Sequence, residues 1–456
     1  MVDVELDTMK WAEREFGACE LGDARRTKRL VKFAAHVAAN PNGSTPEQTE
    51  KWADLKGAYR LMDQEDVTFA AVAGPHWRAT KACPPGTWLI LCDTTEVNFG
   101  AGNEAEGLGP LGEGSGRGFL LHSGLMVQPE TNEVRGMAGQ LVRYRQPAPE
   151  KETVTKRLAR DRESQVWGQL FEQVGPPAEG TRYVDVCDRG ADDFEAYCRL
   201  LHQRHDWVIR ASKMNRTVLD NGRQLPLQDY LPSLPLAGSY ELTYRSHQHG
   251  ARTAKVEVSF GVVQLRVPRH RSPWLRKVGI VSIAMNAIVV REVKPPKGIE
   301  PLYWVLFTSL PVGTFEDALR VIGYYEQRPT VEDFHKSLKF GCRVEERQYE
   351  ASHRLEAITA LLSVTAVRLL QLRSVARTAP ETPAEEVVPR HWVTVLSSLR
   401  HRDITTVRDF YRQLAGLGGH LLRKSDGEPG WITLWRGFVK LHTAVRAIQA
   451  YRQKCG

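Results

Sequence analysis

Three carboxylates in this 456-residue chain sit where an acid needs a reason to be. Asp93 falls inside the apolar run Thr87 to Phe99, where a charge is costly unless it is paired or binds a metal. Asp188 follows a second apolar run, Arg182 to Val186, in the order Cys187-Asp188-Arg189-Gly190. Glu332 lies much later, in a helical stretch. Three carboxylates brought together repel one another and raise their pKa values unless a divalent cation neutralises them. An oxygen-only ligand set suits a hard cation, Mg2+ with Mn2+ as substitute. Two such ions can clamp the attacking and leaving oxygens of an in-line phosphodiester displacement. Each acid also has an ordinary alternative. Asp93 before Thr94-Thr95 could serve a turn or cap, Asp188 could cap the helix after it, and the neighbouring Asp185, Asp192 and Asp193 show that acids are common there.

The spacing of Tyr325, Arg328, Glu332, Lys336 and Lys339 adds a second signal. On an uninterrupted α-helix these positions fall within one narrow arc, because each offset is close to a multiple of 3.6. One face then presents a metal-binding carboxylate flanked by cations that can grip phosphates beside a scissile bond. The alternative is a salt-bridged solvent face, since Glu332 and Lys336 are also an ordinary i,i+4 pair.

The elements that must position these residues follow from the hydrophobic pattern. Residues 1–75 read as helical, with Asp23 as N-cap of a helix from Ala24 to about Ala39 and a second helix around Lys51 to Met62. Residues 76–215 alternate strands and helices. The run at Thr87 to Phe99 reads as a strand buried on both faces, followed by a hairpin (119–128 and 134–145, joined by Pro-Glu-Thr-Asn) and a helix over about 151–174. Strand Arg182 to Val186, helix DDFEAYCRLLHQ and strand WVIRAS then follow. Three mostly antiparallel strands and then a βαβ unit are the layout of an α/β, ribonuclease H-like core. Residues 216–300 read as an all-β insertion, and residues 301–377 as the completion of the core, carrying Glu332 on a long helical region from Thr314 to about Arg377. Residues 378–390 (TAPETPAEEVVPR) read as an exposed linker into a basic helical C-terminal domain, 378–456.

Charge points to the partner. The chain nets +8, and residues 241–300 and 371–456 each net +7, so the excess is concentrated in two blocks. That is the footprint expected of a nucleic-acid binder, with ordinary solvated surface as the alternative. In the first long helix Arg25, Lys28, Arg29 and Lys32 recur at i, i+3, i+4 and i+7, while Leu30, Ala34 and Val37 line another face. A basic stripe of this kind can cross a DNA backbone or enter a groove, or be a solvated face.

Other classes are disfavoured. No run approaches the roughly 20 apolar residues of a membrane span, the best being Ala357 to Val367. The acidic N-terminus has no apolar signal-peptide region. Seven cysteines without paired spacing argue against a disulfide framework or a zinc site and for a reducing cytoplasm. Residues 100–118 hold eight glycines but no Gly-Lys-Ser/Thr follows, so a mobile loop near Asp93 that orders on DNA is expected and a nucleotide cofactor is not. His122, just beyond, reads as a structural histidine ahead of a site residue.

The Y-(2)-R-(3)-E-(6)-K pattern of Tyr325, Arg328, Glu332 and Lys339 resembles the signature of the bacterial DDE insertion-sequence transposases of the IS-four family, relatives of the Tn-five transposase. Leu21-Gly22-Asp23-Ala24-Arg25-Arg26, Asp93-Thr94-Thr95, Cys187-Asp188-Arg189, residues 294–309 (KPPKGIEPLYWVLFTS) and Gly430-Trp431 with Leu434-Trp435 match in order, so the resemblance spans nearly the whole chain. It implies cut-and-paste transposition. Asp93, Asp188 and Glu332 would be the catalytic triad holding two Mg2+ ions. Water would attack at the element's 3′ end, and the freed 3′-hydroxyl would form a hairpin, reopened before strand transfer into target DNA. Arg328, Lys336 and Lys339, supported by Tyr325, would hold phosphates of the transposon end. The N-terminal helices, with Arg25, Arg26, Lys28, Arg29, Lys32 and Arg60, would bind double-stranded DNA at the terminal inverted repeat. The C-terminal helices would pair two subunits as a homodimer in a synaptic complex of a bacterial, cytoplasmic, nucleoid-associated protein.

One position departs from the family. Its members carry Trp directly after the signature arginine, and this chain has Pro329. Proline predicts a kink, or a new helix capped by Thr330 with Asp333 at N3. The lost indole leaves Trp304 as a stacking platform for a flipped base, or as a plain core tryptophan. Two rivals to the transposase reading stand beside it: a metal-dependent nuclease of the same fold without strand transfer, and a domesticated DNA-binding protein without catalysis.

Overall fold

A computed structural model describes residues 7–455 except 50, 113, 147, 148, 150, 221, 247–249, 379, 424, 425, 427 and 428. Five helices open the chain: α1 (Thr8–Phe16), α2 (Ala24–Ala39), α3 (Thr45–Gln48), α4 (Trp52–Met62) and α5 (Phe69–Lys81). Asp23 caps α2 by accepting the Arg25 N–H, and Leu30, Ala34 and Val37 are fully buried on one face of that helix.

The middle of the chain is mixed α/β. Its first half holds β1 (Gly86–Asn98), β2 (Gly109–Leu111), β3 (Gly116–Gln128), β4 (Glu133–Arg143), α6 (Val154–Ala159), α7 (Val166–Val174), β5 (Thr181–Cys187), α8 (Phe194–Gln203) and β6 (Asp206–Arg210). Next come β7 (Thr217–Asp220), β8 (Arg223–Pro226), α9 (Leu227–Tyr230), β9 (Leu236–Ser246), β10 (Gly250–Arg266), α10 (Pro273–Val278), β11 (Ser282–Glu292) and β12 (Tyr303–Thr308). All strands join one open mixed sheet in the order β2-β3-β1-β5-β6-β12-β11-β10-β7-β8, with β4 on β3 and β9 on β10. β1, β5 and β6 are parallel neighbours, and β3 and β4 continue antiparallel from β1. The segment 216–300 is thus β-rich but not all-β, since α9 and α10 interrupt it. It extends the central sheet, because β11 pairs with β12 and β12 with β6.

The apolar run of β1 is explained by cover on both sides. Leu89 and Leu91 pack into a core shared with the N-terminal helices, and Ile90 and Cys92 into a second core with α7 and α8. After the sheet come α11 (Phe315–Glu326), α12 (Pro329–Lys336), α13 (Ser352–Thr378), α14 (Ala384–Val387), α15 (Arg390–Arg400), α16 (Val407–Leu417) and α17 (Trp431–Cys455). The most apolar stretch of the sequence, Ala357 to Val367, lies in α13 and is buried throughout as the spine between sheet and N-terminal helices. No described helix is long and apolar enough to cross a membrane.

Three local expectations change. The helix expected over 151–174 is two helices, because the charged segment between them turns outward to pair Arg160 with Glu152 and Asp161 with Arg143. The segment 378–390, of which residue 379 lies outside the described residues, is not an exposed linker. Its backbone bonds to residues 405–408, and Ala384 and Val388 are buried in the C-terminal helical core. The glycine-rich segment is docked: Ala105 and Leu108 are buried, and Glu106 exchanges backbone hydrogen bonds with Glu350 and Ser352. Gly107 permits this docking, having φ +84° where a Cβ would meet the Ser352 hydroxyl at 2.5 Å.

Candidate active site

The register of two parallel strands brings the first two acids together. Cys92 of β1 lies opposite Cys187 of β5, so the next residues, Asp93 and Asp188, stand side by side. Strand alternation puts Leu89, Leu91 and Asp93, and likewise Val184, Val186 and Asp188, on one face. Asp188 follows the carboxyl end of β5, and Asp93 lies in β1 just past its parallel pairing with β5, so both stand where an open α/β sheet usually holds a ligand. Asp188 is held by its own turn, accepting the Gly190 N–H at 2.8 Å.

Helix α12 packs on that same face through Val331 and Phe334, and its Glu332 is tied to Asp93 through one shared partner. Between them lies Arg328: its Nη1 is 3.6 Å from Asp93 Oδ1, and its Nη2 donates to Glu332 Oε1. His335 Nδ1 is 3.6 Å from Asp93 Oδ2. Burial pushes the Asp93 carboxyl up, but His335 and Arg328 outweigh it, leaving the group below the usual carboxylate range. Burial likewise works against the Arg328 charge, and Asp93, Glu332, Tyr325 and Asp188 more than restore it. Among the described residues, no three His, Cys, Asp or Glu side chains are grouped closely enough to hold a metal ion as arranged. The guanidinium supplies Asp93 and Glu332 with positive charge instead.

The single helical arc expected from the sequence is broken twice. α11 ends at Glu326 and α12 begins at Pro329, whose missing N–H costs nothing in a first helical turn. The restart is headed by Arg328, not capped by Thr330; Thr330 is buried inside the helix, 3.5 Å from Asn132. The β3–β4 turn steadies the break, Pro129 O accepting from Gln327 Nε2 at 2.8 Å. A π-helical turn, Ser337–Gly341, then shifts Lys339 off the arc of Glu332, and Lys339 pairs with Glu345 at 3.0 Å. Lys336 is exposed and pairs with Asp333 at 3.6 Å, away from the carboxylates. Tyr325 is buried edge-on against half-buried Trp304, ring centroids 5.3 Å apart.

Four neighbouring residues carry no site signal of their own in the sequence. His335 follows Glu332 by three positions and Arg328 by seven, a spacing that placed it on the site face in advance. Arg210 ends β6, one strand from Asp188, and lowers the Tyr325 hydroxyl that burial raises. Its only mark in the sequence is that of a cation closing a buried strand. Thr94 and His122 form a bonded pair at 2.6 Å behind Asp93, and the imidazole stacks edge-on to Trp167. Fully buried, His122 has its pKa pushed down to about 3, so it is a neutral structural histidine.

Away from the carboxylates, α2 and α4 build a basic surface. Arg25, Lys28, Arg29, Lys32 and Arg60 are exposed. Lys32 crosses to Asp54 of α4 at 2.6 Å, and Arg29 runs over Gly57, where a Cβ would meet its Nε at 3.3 Å. Trp52 is 75% exposed beside them. Arg26 does not join this surface: Asp66, Gln64 and the Leu21 carbonyl hold it at 2.6, 2.7 and 2.9 Å, so it fastens α2 to the segment before α5. Residues 8–67, which contain this surface, match the family described as Transposase DNA-binding. The match supports a transposase that binds DNA.

Proposed function

We propose that this chain is a cut-and-paste DNA transposase whose ribonuclease H-like core cleaves transposon ends and joins them to target DNA. The observation that carries the reading is the β1–β5 register, which sets Asp93 beside Asp188, with Glu332 joined to Asp93 through Arg328. The order β4-β3-β1-β5-β6, antiparallel and then parallel, supports the core assignment. Asp93, Asp188 and Glu332 would hold Mg2+ or Mn2+, two ions in all. Their all-oxygen donor set fits a hard cation, and the Arg328 guanidinium marks where positive charge is wanted. Bound cations would supply neutralisation of the attacked phosphate and of the oxygens that attack and leave it.

The chain's own groups do the rest. Arg328, released from Glu332, would hold a phosphate oxygen beside the scissile bond. Tyr325, Arg210 and Lys339 would position the adjoining backbone, and Lys336 would reach phosphate from its exposed place at the rim. In the first step water's oxygen bonds to phosphorus, the P–O3′ bond breaks and the departing 3′ oxygen takes a proton. In strand transfer that 3′-hydroxyl attacks a target phosphodiester, whose own P–O3′ bond breaks. A hairpin intermediate is the same exchange with the opposite strand as target. The α2–α4 surface would bind the terminal repeats, and two copies would pair the ends through their C-terminal helices.

The test is a donor plasmid carrying the element's flanking DNA, incubated with full-length protein and Mg2+, scoring excision and joined product. Both are expected from wild type and both are lost in Glu332→Ala, whose binding to the ends is unchanged. Excision without joining would make the protein a nuclease of the same fold. Binding without cleavage in Mg2+ or Mn2+ would make it a DNA-binding protein without catalysis, the outcome in which Arg328 permanently neutralises the acids.

A further inference from the structure

A second basic surface adjoins the candidate active site and differs in kind from the α2–α4 face. Arg162, Lys213, Arg216, Arg266, Arg269 and Arg271 line one cleft of about 740 Å³, against only Asp193 and Glu195 of opposite sign among its described lining. Both acids are engaged: Asp193 caps α8 and lies 3.3 Å from Lys213, and Glu195 accepts from Ser272 Oγ and Arg199 at 2.6 and 2.9 Å. Arg216 is paired with Asp192 at 2.6 Å. Arg266 and Arg269 are exposed, with no carboxylate partner among the described residues.

Two features argue that this is a built track and not scattered surface charge. Its floor is the pair of turns that follow β5 and β6. Asp192 Oδ2 accepts the N–H groups of Ser212 and Lys213 at 2.7 and 3.1 Å, locking the turn that begins at Asp188 to the one after β6. Its wall is the end of β10 and the segment from there to α10, fastened by buried Val267, Ser272 and Leu275, so that Arg266 projects from a paired strand end and Arg269 from an anchored loop. A rim of cations over this partly apolar floor suits a polyanion.

We infer that this cleft binds the sugar-phosphate backbone of DNA next to the carboxylate site, as a track separate from the α2–α4 face. The inference rests on the transposase reading for what the DNA is doing there. Transposon end and target duplex offer the same phosphate chemistry, and the two are separated by experiment. Full-length Arg266→Glu/Arg269→Glu protein is titrated with a generic duplex of about 30 base pairs lacking element sequence, across about 50–200 mM salt. The slope of log K against log salt is expected to fall by about 2, the value for two phosphate contacts. Arg266→Lys/Arg269→Lys keeps the wild-type slope, and Arg223→Glu/Lys255→Glu, on exposed residues outside the cleft, moves it by less than half as much. An unchanged slope, or an equal change in the outside pair, overturns the inference.

Excision and joining then identify the occupant. Loss of joining with excision retained assigns the cleft to target DNA, and loss of excision with joining of pre-cut ends retained assigns it to the transposon end. If wild type neither cuts nor joins, the transposase reading fails while the slope still decides whether the cleft binds DNA.

Discussion

On α2, Arg25, Lys28 and Arg29 stand in solvent, whereas at the head of α12 Arg328 is folded between Asp93 and Glu332. The side chains are of one chemical kind, and their surroundings give them different work. Exposed cations form only weak pairs with neighbouring acids, so their charge stays available to a polyanion. A half-buried guanidinium among carboxylates is committed, because each charge there lacks the water that would otherwise stabilise it. Lys32 and Arg26 mark the boundary between the two regimes. Both are in α2, yet Lys32 remains half exposed against Asp54 while Arg26 is consumed by Asp66 and Gln64.

The comparison breaks first where the charges are reversed. Lys28→Glu/Arg29→Glu should weaken binding to element ends about 10-fold or more and lower the salt slope by about 2. A mobility-shift titration at two salt concentrations checks this, and unchanged affinity would reduce the stripe to a solvated face. The fold should hold, since both side chains lie in solvent.

Removing Arg328 should do the opposite, costing stability before it costs end binding. Arg328→Ala leaves Asp93 and Glu332 without their common partner, an expected loss of about 1–3 kcal/mol in urea unfolding, given that the site is only partly shielded. Added Mg2+ should recover more stability in this variant than in wild type, because a cation then meets acids free of the guanidinium. If Mg2+ stabilises both proteins equally, Arg328 and the metal do not share those carboxylates.

The smallest effect is a pair of opposed pH responses in the strands that carry the site. His122 titrates at about 3 in the folded protein and near 6.5 when unfolded, so its contribution is complete above pH 6.5 and is lost as pH falls toward 3. For buried His205, burial lowers the pKa but the Asp185 carboxylate at 2.7 Å raises it further, above the ordinary value. Its contribution is complete below pH 6.5 and disappears as pH rises through the folded value. Each should give a slope of about 1.4 kcal/mol per pH unit at most. His122→Gln should flatten only the acid limb of the stability curve and His205→Gln only the alkaline limb. A curve unchanged by either substitution would remove the histidines from the account.

Legibility followed the range of the interaction concerned. The cap at Asp23, the buried face of α2 and the double-sided burial of β1 were all readable, since helical and strand periods are set by residues a few positions apart. Pro329 announced a break in the helix, but not that Arg328 would head the next one or that a π turn would move Lys339. Those outcomes depend on what α12 packs against. The segment 378–390 has the composition of a linker and became ordered structure because residues 405–408 offered it backbone partners. His335 has the right spacing, but a lone histidine on a helix carries no signal in the sequence.

The amino-acid order by itself determined which residues can carry charge on each helix face and which strands must be covered on both sides, because side-chain direction repeats with a fixed local period. Only the tertiary structure decided that Cys92 faces Cys187, and hence that Asp93 meets Asp188 across 95 positions of chain. It likewise decided that Arg328 turns inward while Arg29 does not. Strand register and the choice of ionic partner are settled by packing between distant segments, where burial and the loss of water make one pairing cheaper than the rest.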